Sequence, residues 1–114
     1  MLTITINNKK FKVKSMICDK DKSEGMMSKK FDNGYNGMLF FMSDGPHCFW
    51  MKNCIIPLDI IFLKNGRIEK IHHNCQPCET DDCENFCGSG DCILELQGGT
   101  CNRLGIKEGY EVLF

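Results

Sequence analysis

Nine cysteines in 114 residues set the chemistry this chain could carry. Cys75, Cys78, Cys83, Cys87 and Cys92 crowd one stretch, with two residues between the first pair, four between Cys78 and Cys83, and three between Cys83 and Cys87. The four thiolates of Cys75, Cys78, Cys83 and Cys87 suit tetrahedral zinc, each about 2.3 Å from the metal. The gap between Cys78 and Cys83 is far shorter than the roughly 12–20 residues of common zinc modules. An iron–sulfur cluster, disulfides, dithiol chemistry and free thiols therefore stay open beside zinc. Glu79, Asp81, Asp82 and Glu84 lie among these thiols and would raise their pKa values, which disfavours a reactive thiolate. Nine is odd, so at least one thiol stays unpaired.

A second set is polar and central. Trp50, Lys52, Asn53 and Asp59 combine a stacking platform, an ammonium, an amide and a carboxylate. Together they could hold a polar small molecule, with Asp59 as acceptor or base. The competing reading is structural: Asp59, between Leu58 and Ile60, is buried and bonded to Lys52, Asn53 or nearby backbone N–H groups. Catalytic signals are scarce. There is no glycine-rich phosphate loop, serine elbow or zinc-binding His-Glu helix. His47 and Cys48 are neighbours on a strand and point to opposite faces, so His47 cannot readily activate Cys48. His72 and His73 have no partner set, and no catalytic residue is assigned.

The elements that must position these residues are mostly short strands. Leu2, Ile4 and Ile6 alternate with polar residues, and Asn7-Asn8-Lys9-Lys10 turns the chain into a second alternating run, Phe11 to Lys14. Asp19 to Lys30 is a helix candidate capped by Asp19 or Asp21, with Gly25 as a weak point. Gly37 to Met42 is an apolar strand closed by Ser43-Asp44-Gly45-Pro46, and Cys48 to Met51 is the next. Asn65-Gly66 joins Leu58–Leu63 to Arg67–Ile71 as a hairpin. Residues 72–91 lack periodicity and read as a cysteine-rich loop; with little apolar content beyond Phe86, cross-links would have to order them. A strand from Cys92 to Leu96 follows, then a short helix capped by Thr100 and ended by Gly105, then a last strand, Tyr110 to Phe114. The sum is a mainly-β barrel or sandwich of about seven strands with two short helices, a single domain over residues 1–114.

Composition narrows the partners. Hydrophobic residues at 42% and charged residues at 25% exclude disorder and coiled coil. No apolar run nears the roughly 18 residues of a membrane-spanning helix. A net charge of -1, and a Lys excess over Arg, argue against nucleic acid. Residues 1–30 are Lys-rich and residues 75–95 hold acids without Lys or Arg, so the two could pair within the chain or between copies. The N-terminus has no basic segment followed by an apolar one, so no export signal is read and an intracellular location is expected.

Several words of this sequence carry a resemblance: Gly25-Met26-Met27, Gly37-Met38-Leu39-Phe40, Phe49-Trp50-Met51-Lys52-Asn53, Ile56-Pro57-Leu58-Asp59-Ile60, Leu94-Glu95-Leu96, and Gly98-Gly99-Thr100 with Leu104-Gly105-Ile106. In that order the chain resembles the bacterial and phage family called domain of unknown function 192. The resemblance implies a compact β-rich fold and no accepted activity. It also implies Cys78–Cys83 as the bridge if the cysteines are oxidised, since the family keeps two cysteines there. Two departures stand out: Glu24 precedes Gly25 where the family usually has Arg, and Gly109-Tyr110 replaces its Gly-Asp.

The resulting reading is a binding or accessory module with a polar site near Trp50 and Asp59. A metal-stapled or thiol-redox protein is the first alternative, and a phage structural or accessory protein, in host cytoplasm or virion, the second. No membrane partner is expected; a homo-oligomer or protein partner stays open, and the balance is against an enzyme.

Overall fold

Two turns rich in asparagine start the architecture, which a computed structural model describes for all residues, 1–114. Asn7 and Asn8 (φ 50° and 66°) reverse the chain between β1 (Leu2–Ile6) and β2 (Lys9–Met16). Short amide side chains tolerate this left-handed conformation, which matches the twist of a tight hairpin. Beyond α1 (Asp19–Glu24) and β3 (Gly37–Trp50), Asn65 and Gly66 do the same between β4 (Leu58–Lys64) and β5 (Arg67–Cys75). The chain then forms β6 (Asn85–Gln97), α2 (Thr100–Leu104) and β7 (Val112–Leu113). Both hairpins, the seven strands and the two short helices agree with the sequence reading.

The strands make one sheet in the order β5-β4-β6-β3-β2-β1-β7. Only β2 and β3 run parallel. The sheet curls until its edges meet: Arg67 bridges Glu111, and Val112 N–H donates to the Gly66 carbonyl at 2.8 Å. The result is a half-closed barrel.

Its central strands are buried on both faces. One core, including Ile4, Val13, Leu39, Ile61, Leu94 and Val112, fills the inside of the curl. The other, including Met26, Met38, Phe40, Met51, Ile60, Phe62 and Ile93, lies on the opposite face. Alternation along β3, β4 and β6 assigns neighbouring residues to different cores. The second core is covered by the 17–36 connection and by residues 51–57, which fold back over the sheet.

Several elements differ from expectation. The runs at 37–42 and 48–51 belong to one bent strand, β3, because a register shift between Phe41 and Gly45 absorbs the Ser43–Pro46 segment into continued pairing with β6. Residues 72–91 are not a loop. β5 extends to Cys75 and β6 begins at Asn85, leaving residues 76–84 as the connection. Glycine makes this possible: a Cβ on Gly90 would sit 2.2 Å from the Leu63 carbonyl oxygen, and one on Gly88 2.7 Å from the Phe62 ring. Only residues without side chains let this part of β6 pass so close to β4.

The helices are short as well. α1 stops at Gly25 (φ 46°) instead of reaching Lys30, since the chain there turns to bury Met26. Its N-cap is Cys18, not Asp19 or Asp21. Gly99 in the left-handed region caps α2, while the Thr100 hydroxyl donates back to the Gln97 carbonyl at 2.7 Å. Gly105 ends α2 as expected.

Candidate functional site

Asp59 is satisfied entirely by backbone groups. It is fully buried, and its carboxylate accepts the N–H groups of Asn74 (2.8 Å), Gly99 (3.1 Å) and Cys101 (2.8 Å). Gly99 and Cys101 open α2, so Asp59 supplies from β4 the cap that α2 lacks locally. Neither Lys52 nor Asn53 is among its partners. Asp59 stands opposite Leu96 in the β4–β6 register, on the inner face of the curl. Trp50 and Lys52 border a cavity on the other face. The sheet therefore separates Asp59 from the rest of the polar set, and Asn53 is exposed at a left-handed position (φ 61°) outside the cavity.

That cavity has a volume of about 400 Å³. Its base is the sheet, through Phe40, Met42 and Glu95; α1 and Met26 form one side; Phe49, Trp50 and Lys52 form another. Strand alternation turns Phe49 and Met51 inward and leaves Trp50 42% exposed at the rim. The Lys52 ammonium lies 5.3 Å from the centroid of the Trp50 ring and is also paired with Asp81, which holds the Asp81 carboxyl below the usual carboxylate range. Glu24, the first departure from the family pattern, also lines this cavity.

Glu95 is its unusual member. Next to Ile93 on β6, it faces the second core and is 4% exposed. Its Oε1 has no hydrogen-bond partner. Burial pushes its carboxyl up to about 8, so it is largely protonated at neutral pH. The Cys54 thiol, also lining the cavity, is pushed up to about 11 by burial and then by Glu95. By position Glu95 belongs to the acidic 75–95 stretch. A lone Glu inside Cys92-Ile93-Leu94-Glu95-Leu96, otherwise wholly apolar, was the available signal.

The cysteines separate into bridges and thiols. Cys78 pairs with Cys83, and Cys48 pairs with Cys87, its direct partner in the β3–β6 register. The second bridge depends on residues 85–91 pairing with β3, which local sequence does not signal. Cys18, Cys54, Cys75, Cys92 and Cys101 are free, all but Cys18 buried. The four-thiol zinc or iron–sulfur set of Cys75, Cys78, Cys83 and Cys87 is thus not assembled. Three members are in two different bridges, and Cys75 is buried in the second core with its thiol pushed up to about 12, first by burial. No three His, Cys, Asp or Glu side chains converge elsewhere. His47 and His72 each contact a backbone carbonyl, of Ser43 (2.7 Å) and Cys87 (2.8 Å). The ion pairs also leave the basic and acidic stretches unjoined: Lys29–Glu24, Lys52–Asp81 and Lys64–Asp44. No helix is long and apolar enough to cross a membrane.

The comparisons agree with this architecture. The family model described as Uncharacterized ACR (DUF192, domain of unknown function 192) matches residues 2–114, and the chain belongs to that family. A protein of unknown function from Novosphingobium aromaticivorans is similar in structure, with a TM-score of 0.83 and 28% identity, covering 99% of this chain and 84% of that one. A Sinorhizobium meliloti structure described as a putative transcription regulator gives a TM-score of 0.84 and 26% identity, covering 96% and 88%. No curated protein matches the sequence.

Proposed function

We propose that this family member is a binding module for a small organic ligand, held in the cavity between α1, Trp50 and Glu95. The observation that carries this reading is the Glu95 carboxyl, nearly all buried in an otherwise apolar wall with one oxygen unpartnered. Such a group destabilises a fold by about 1–3 kcal/mol unless something satisfies it. Unmet polar groups inside concave apolar pockets are a mark of binding sites. The reading keeps the Trp50 and Lys52 part of the polar site expected from sequence and replaces Asp59 with Glu95. Asp59 has spent both carboxylate oxygens on backbone N–H groups.

The test uses Trp50, the single tryptophan of the chain, as reporter. Small cationic, neutral and anionic organic molecules are titrated while Trp50 emission and the thermal midpoint are followed. At least one class should shift the emission saturably and raise the midpoint. Ser23→Tyr, an exposed α1 position lining the cavity, should weaken that response by obstructing the mouth. If no class produces a response, the binding reading is wrong.

A thiol-redox role takes second place, supported by one observation: the Cys48–Cys87 bridge joins two exposed residues, and Cys48 lines the same cavity. Against it, the nearby Cys54 thiol is a poor nucleophile at neutral pH. Ligand response that survives Cys48→Ser/Cys87→Ser would show that binding does not depend on the bridge.

A further inference from the structure

We propose that the ligand of this cavity is an organic cation, an alkylguanidinium or alkylammonium, whose N–H groups pair with Glu95 and whose carbon chain lies along Met26 and Phe40. The proposal rests on the binding reading above and adds the class of ligand. Three observations favour a cation.

The deepest polar group is a carboxyl whose Oε1 lacks a donor, so the complementary ligand brings donors. Charge-assisted bonds from guanidinium or ammonium to carboxylate are the strong form of that contact. Trp50 presents a 42% exposed ring at the rim, and an aromatic face of this kind attracts a positive head group. The charged groups around the opening also lean the same way. Asp19 and Glu24 are carboxylates of α1, with Glu24 only 3.9 Å from Lys29 as a distant partner. Of the two ammoniums, Lys52 is paired with Asp81, leaving Lys22. An anion entering here would meet the carboxylates of Asp19 and Glu24 at the rim.

Ionisation follows from the same geometry. Without a partner, burial keeps Glu95 protonated; a cation within about 4–6 Å favours the carboxylate. The other titratable groups around the cavity are Asp19, Lys22, Glu24, Lys52 and the high-pKa thiol of Cys54, with Cys75 near Glu95 from β5. Cation binding at pH 7 should therefore release about one proton, from Glu95 to solvent.

The experiment titrates the whole chain with butylguanidinium, butan-1-ol and butyrate at fixed ionic strength, reading Trp50 emission. Calorimetry in two buffers of different ionisation enthalpy counts protons. Butylguanidinium should bind at least about tenfold more tightly than butan-1-ol and release close to one proton. Glu95→Gln should bring the two within about threefold and abolish proton release, with butan-1-ol binding retained. Competition between the two probes on the unmodified chain gives the same ranking without any variant. If butan-1-ol or butyrate matches or exceeds butylguanidinium, the cavity binds ligands but the class is wrong. If butylguanidinium moves Trp50 emission with no proton release and no dependence on Glu95, it is only touching the rim, and the proposal fails. If none of the three binds, the binding reading itself fails.

Discussion

Asp59 and Glu95 are two buried carboxyls one register step apart on adjacent strands, yet they face opposite sides of one sheet. Asp59 meets three backbone N–H groups and closes the N-terminus of α2. Glu95 meets methionine, phenylalanine and cysteine side chains around a cavity and leaves an oxygen unpaired. Burial alone therefore says little about role. What decides it is whether the fold itself supplies the partners. Where it does, the carboxylate is part of the frame; where it does not, the group is available to something that comes from outside.

The contrast can be broken most directly at Asp59. Asp59→Ala strands three donors in the core and should lower unfolding stability by about 3–5 kcal/mol, read from urea midpoints. A midpoint like that of the parent would show that α2 does not depend on this cap. Asp59→Asn keeps the shape but turns an amide N–H₂ toward backbone donors, so it should lose less, about 1–3 kcal/mol, with α2 amides exchanging faster.

Glu95 should behave in the opposite sense. Its carboxyl is raised in the folded chain from the usual 4.5 to about 8, so the folded state holds a proton that the unfolded state releases. Its contribution to stability is complete below about pH 4.5 and is lost as the pH rises toward 8, by about 1 kcal/mol per pH unit at the steepest. Glu95→Gln should remove that slope and exceed the parent by about 4 kcal/mol at pH 9, with little difference at pH 5. Parallel pH profiles for the two proteins would mean Glu95 is not buried as described.

A third acid sets the baseline. Asp81 is 90% exposed and its direct pair with Lys52 is screened by solvent, so Asp81→Asn should leave the thermal midpoint unchanged within error. A clear loss there would make exposed pairing, not burial, the quantity that separates these carboxyls.

Much of the frame was legible in local signals. Asn7-Asn8 and Asn65-Gly66 announce their hairpins because few residues accept those backbone angles. The burial of Asp59 was legible too, because a charge inside Leu58–Leu63 had to be satisfied somewhere. Its partners were not, since Gly99 and Cys101 reach it from 40 residues or more along the chain. The strand character of residues 85–91 was hidden for the same kind of reason: glycine and serine weaken local strand signals, and it is pairing with β3 that makes the strand. Trp50 and Lys52 were singled out by type, but which carboxyl shares their side of the molecule depends on register. Local sequence does not encode that.

The parallel pairing of β2 with β3 has one more consequence. Two strands running the same way cannot be joined by a tight turn, so residues 17–36 must travel back along the outside of the sheet. That return path is what covers the cavity. It contains a six-residue helix with no buried residue, while Met26 and Tyr35 pin the rest of it to the core. The cover can then lift at α1 while every strand stays paired, a local opening far cheaper than global unfolding.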